Sequence, residues 1–127
     1  PIADLPGQQV VTEPVNTLEL GYSLYMTGNY SAANHNFQTL LEQKLSPDEK
    51  AWVHCLLGSG YRIQREFNNA EKMYRKAGGE KKASPFTAKY ANWGLRYIEN
   101  RRDAIQNMEL VSTELAKLIE EIENARR

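Results

Sequence analysis

The chain has 127 residues, 41% hydrophobic and 25% charged, and its sixteen basic and sixteen acidic side chains cancel. This is one domain's worth of an ordinary soluble composition, and a single cysteine, Cys55, excludes an internal disulfide framework. No apolar run approaches the ~20 residues that span a bilayer, and no charged-then-apolar leader opens the residues given, so a soluble protein of the cytoplasm or periplasm is expected.

In chain order, residues 1–13, with Pro1, Pro6, Gly7, Gln8 and Gln9, lack a helical period and read as an extended lead-in. Helices are predicted over 14–27, 30–44, 47–64, 67–77, 85–99 and 102–125. Gly28-Asn29 closes one and opens the next, because Gly tolerates a left-handed cap and Asn can accept from free backbone N–H groups. Ser46-Pro47-Asp48-Glu49 combines a Ser cap, Pro at the first helical position and a Glu three residues on, which is a capping box. Ser84-Pro85 repeats the device, and Gly78-Gly79 stops the helix before it. From Ala104 the apolar series Met108, Val111, Leu115, Leu118, Ile122 and Ala125 is spaced 4, 3, 4, 3, 4, 3, a heptad seam.

One unit recurs. Leu20-Gly21 with Leu24, Leu57-Gly58 with Tyr61, and Trp93-Gly94 with Tyr97 lie 37 and then 36 residues apart. The first two are followed by Ala33 with Phe37 and Ala70 with Tyr74, and the third by the weaker Ala104 with Met108. In this period and lettering the chain resembles a tetratricopeptide (TPR) protein. Arg65 stands where the inter-helix turn glycine usually sits in the second unit, and Ala104 arrives two residues early in the third. The resemblance implies an all-α, right-handed superhelical solenoid of three helix-turn-helix repeats (14–47, 51–82 and 85–111). Residues 112–127 extend the last helix as a cap over the final apolar face. In each repeat the Ala of the second helix is expected to face the Gly of the first.

Catalytic chemistry is poorly supplied, and no enzyme is expected. His35 and His54 are the only histidines, neither sits in a metal-spaced cluster, and adjacent His54 and Cys55 point in different directions on a helix. Gly58-Ser59-Gly60 lies inside a predicted helix and does not form a phosphate loop. No metal or cofactor is expected. Residues 62–102 carry eleven basic and four acidic side chains against two and six in residues 1–61. This imbalance reads as complementary packing and solvated faces, since no stacking platform for nucleic acid alternates with it.

In TPR proteins the first helix of each repeat lines a concave groove. Carried over, the resemblance assigns that groove to Val15, Leu18, Tyr22 and Tyr25, then Trp52, Cys55, Ser59 and Arg62, then Ala88, Ala91, Leu95 and Ile98. Leu18 and Tyr22 replace the Lys and Asn with which chaperone-tail readers of the family grip a C-terminal carboxylate, so that function is excluded. The expectation is a non-catalytic protein-interaction scaffold holding an apolar partner segment, anchored by Tyr22, Tyr25 and Trp52 and oriented by Arg62. The lead-in around Ile2, Leu5, Val10 and Val11 is an alternative occupant. Other readings are a small three-repeat bacterial secretion chaperone holding an apolar translocator segment, or a docking domain of a larger protein. The C-terminal helix is expected to fold back, leaving a mainly monomeric protein with weak self-association through Leu115, Leu118 and Ile122.

Overall fold

The computed structural model describes residues 17–127; the lead-in and Val15 lie outside the described residues. Five helices and no strand occur among them: α1 (Leu18–Met26), α2 (Tyr30–Leu41), α3 (Pro47–Ile63), α4 (Phe67–Gly78) and α5 (Pro85–Arg126). The fold is all-α, and no helix among the described residues is long and apolar enough to cross a membrane.

The helix ends follow local chemistry. Thr17 Oγ1 caps α1 by accepting from the Leu20 N–H at 3.1 Å. The Ser46 hydroxyl accepts from the Glu49 N–H at 3.2 Å while Glu49 Oε1 accepts from the Ser46 N–H at 3.1 Å, completing the expected capping box. Ser84 caps α5 through the Thr87 N–H, and Asp48 Oδ1 accepts from the Ser84 N–H at 2.7 Å, tying the start of α5 to the start of α3. Asn29 departs from expectation: its side chain makes no cap bond and donates to Thr27 Oγ1 instead.

Two short turns fold α1 onto α2 and α3 onto α4 as hairpins. Each turn has one residue with positive φ, Gly28 at 83° and Arg65 at 63°. Arg65 thus occupies the left-handed conformation that its glycine counterpart adopts without steric cost.

The core is built by glycines that admit aromatic rings. Phe37 lies fully buried against Gly21. Tyr74 is equally buried and is gripped from two sides, since a methyl on Gly58 would sit 2.7 Å from its ring and one on Gly94 2.5 Å from it. It is therefore the aromatic residue of the second helix, and not the Ala, that meets the glycine. Ala33 and Ala70 are buried in the same clusters. Gly60 closes on the Asn34 side chain, so the Gly58-Ser59-Gly60 stretch is a close-packing surface.

The expected break near residue 100 is absent. Pro85 to Arg126 is one helix of 42 residues. No Gly or Pro follows Gly94, so nothing in the sequence stops the helix or lets it turn back. The predicted second helix of the third repeat and the folded-back cap are both replaced by an unbroken continuation. Every residue from Arg102 to Arg127 is exposed. The first part of α5 is held on the hairpins by Ala91, Gly94 and Ile98 in the core and by Glu71, which pairs with Arg102 at 2.6 Å and with Arg75 at 2.8 Å.

Candidate functional site

Aromatic side chains from three helices converge beside the contact of α3 with α5. Along α5, Phe86, Tyr90, Trp93 and Tyr97 recur at spacings of 4, 3 and 4 residues and so share one face. Trp52 of α3 meets this stripe, with its ring centroid 5.6 Å from Phe86 and 5.3 Å edge-on from Tyr90. Tyr90 and Trp93 follow at 5.8 Å, and Trp93 and Tyr97 at 5.9 Å. From α1, the Tyr22 hydroxyl accepts from Trp52 Nε1 at 2.5 Å. The Trp52–Tyr90 pair is edge-on and the others are tilted, none of them a face-to-face sandwich, which is the arrangement aromatic pairs disfavour.

Beneath the rings runs a chain of hydroxyl groups. Ser59 Oγ lies 2.8 Å from the Tyr74 hydroxyl and 2.5 Å from that of Tyr90. Arg62 Nε donates to the Tyr74 hydroxyl at 3.3 Å. The Arg62 guanidinium also lies over Trp93 and Tyr97, 5.0 and 4.9 Å from their centroids, a cation–π arrangement that fixes the cation and both rings. Burial works against the Arg62 charge, but the Tyr74 hydrogen bond and the nearby Tyr25 and Tyr90 hydroxyls outweigh it and raise its pKa. Burial likewise holds the Tyr25 hydroxyl neutral, with its pKa raised. The surface offers flat rings, hydroxyls at their edges and one fixed positive charge.

The structure brings together Tyr22, Tyr25, Trp52 and Arg62 among the expected groove residues and removes others from the surface. Leu18 packs on the core cluster of α2 and α3. Cys55 is fully buried, donates to the Thr87 carbonyl at 3.6 Å, and has its thiol pushed up to about 12 by burial and then by Asp48. Ser59, Ala91 and Ile98 are also buried, and Leu95 lies half-buried against the Tyr74 cluster. Only Ala88 of the expected α5 residues is exposed. On α5 a single contact accounts for the difference. Packing Gly94 onto Tyr74 turns Ala91 and Ile98 inward, so α5 is rotated by roughly 150° about its axis from the expected register, at ~100° per residue. The residues missed, Phe86, Tyr90, Trp93 and Tyr97, carried their own signal in an aromatic 4-3-4 spacing.

Among the described residues no group of three or more His, Cys, Asp or Glu side chains is placed to hold a metal ion. Comparison of the chain with protein-family models, curated proteins and solved structures gives no match.

Proposed function

We propose that the protein is a non-catalytic interaction module whose aromatic face captures an apolar segment of a partner protein. The observation that carries this reading is the exposure of large rings on a rigidly held surface. Phe86 is 67% exposed and Trp93 49%, although Trp93 is fixed by Tyr90, Tyr97 and Arg62. Preorganised aromatic side chains flanked by an arginine are the composition of binding hot spots, because little side-chain entropy remains to be lost on docking. The Ser59, Tyr74 and Tyr90 hydroxyls satisfy one another, which leaves the apolar ring faces as the available surface.

The fold reading that accompanies it is a tetratricopeptide solenoid of two full repeats and the first helix of a third, continued by a long helix. Its support is the recurrence of one contact, Gly21 on Phe37 and Gly58 on Tyr74, with positive-φ turns at Gly28 and Arg65.

Replacing Phe86 and Trp93 together with Ala removes the two most exposed rings and leaves Tyr74 in place. The expected outcome is unchanged helical circular dichroism with loss of the partners recovered by affinity capture and mass spectrometry. Recovery of the same partners by wild type and double variant would overturn the assignment.

A further inference from the structure

The outer part of α5 has an apolar face that nothing among the described residues covers. Met108, Val111, Leu115, Leu118 and Ile122 are 70, 64, 55, 52 and 47% exposed. They form the 4-3 spaced seam that begins at Ala104 and ends at Ala125. One flank of the seam carries Ile105, Ser112, Ile119 and Arg126, and the other Asn107, Glu114 and Glu121. The helix does not fold back to bury the seam: it runs unbroken from Pro85 to Arg126, with neither Gly nor Pro after Gly94.

We infer that residues 103–126 pair in parallel with the same segment of a second copy of this chain, as a two-stranded coiled coil. The flanks decide both partner and direction. When two such helices run in parallel, each acidic flank meets the partner's other flank. Glu121 then faces Arg126 of the second copy, Glu114 faces Ile119, and Asn107 faces Ser112, with no like charges opposed. Run antiparallel, like flanks meet and set Glu114 against Glu121 across the seam. Area points the same way. Each copy contributes five large apolar side chains, so a pair covers ten along about three heptads, enough surface to offset the loss of free tumbling. A single chain folding back would have covered only half of that number.

The seam lies on the same side of α5 as Phe86, Tyr90, Trp93 and Tyr97, so a parallel pair directs the two aromatic faces toward one axis. This arrangement does not require those rings to touch the second copy.

Sedimentation equilibrium of the full chain tests the pairing. The expected mass is twice 14.5 kDa at micromolar concentration, falling to one chain for Leu118→Glu. That variant is expected to weaken the pair at least about 100-fold, because a carboxylate from each chain would be buried in the seam, and to keep the near-ultraviolet dichroism of the aromatic cluster. Trp93→Ala is expected to leave the dimer intact. Direction is read with Ala125→Cys in a Cys55→Ala background. Parallel helices place the two introduced thiols side by side and yield a disulfide-linked dimer on oxidation, whereas antiparallel helices hold them tens of ångströms apart. A monomer at 100 µM, a higher oligomer, a dimer indifferent to Leu118→Glu, one lost on Trp93→Ala, or failure of Ala125→Cys to cross-link would each overturn the proposal.

Discussion

From Pro85 to Arg101, α5 sets very small side chains beside very large ones: Gly94 brings its backbone against Tyr74 and Ala91 packs with Ala51, Cys55 and Ala77, while Phe86, Trp93 and Tyr97 stand outward. From Arg102 onward the same helix has aliphatic residues of middling size at the same 4-3 spacing, with every residue exposed. The apolar period is nearly continuous through the two halves, yet only the first is docked. What separates them is the availability of a close-approach position. A glycine facing an aromatic ring admits a neighbouring helix at short distance, whereas a seam of Met, Val, Leu and Ile suits a second seam of the same kind. Apolar periodicity reports which face wants covering, and the small residues report what already covers it.

The largest effect that can break this contrast is at Gly94. Gly94→Ala places a methyl 2.5 Å from the Tyr74 ring, and is expected to cost about 1–3 kcal/mol by overpacking. Thermal unfolding would show it as a lowered midpoint, and Ser112→Ala in the outer half should stay within about 0.5 kcal/mol of wild type. Equal responses at the two positions would remove the distinction between docked and undocked halves.

A smaller change of opposite sign sharpens the comparison by acting on the hairpins alone. Arg65→Gly relieves a left-handed backbone at a φ of 63°. Because glycine also loses more freedom on folding, the net gain should be about 0.5–1 kcal/mol. Chemical denaturation is expected to show a raised midpoint with an unchanged slope. Gly28, already relaxed at a φ of 83°, offers no comparable gain.

The smallest effect is a dependence on pH. Burial first, then the nearby Lys76 and Lys50, lower the pKa of His54 below its ordinary 6.5. The unfolded chain therefore takes up this proton more readily than the folded one. The contribution of neutral His54 to stability is full above pH 6.5 and is lost as pH falls through that value toward the depressed one. His54→Gln should flatten this part of the stability profile while leaving the outer helix unaffected.

Much of the helical framework was legible because its signals are local. The Ser46 box, the Ser84-Pro85 start and the left-handed Gly28 are decided within four residues of sequence. The period of 37 and 36 residues located the glycines on which rings pack. The break expected near residue 100 rested on the third unit having to match the other two, against a stretch with neither Gly nor Pro, and the local chemistry prevailed. Of the aromatic cluster, Tyr22, Trp52 and Arg62 on α1 and α3 were among the residues the sequence singled out, whereas on α5 the expected positions Ala91 and Ile98 are buried and the exposed rings are others. Carrying over a groove register ignored what Tyr74 demands. A side chain reached from two directions requires a glycine on each, and that three-body requirement joins residues 58, 74 and 94, which no short window of sequence contains.

The unbroken length of α5 also has a consequence for evolution of the chain. With no joint between Tyr97 and Met108, the direction in which the outer residues point is set by the docked ones, as on a shaft. Each residue added or removed between Asp103 and Asn107 would turn everything beyond it by ~100° and shift it by ~1.5 Å. Substitution on the solvent side of that stretch is cheap. A change in its length is not, unless it comes in steps close to whole turns or heptads. These residues are constrained in number more than in kind.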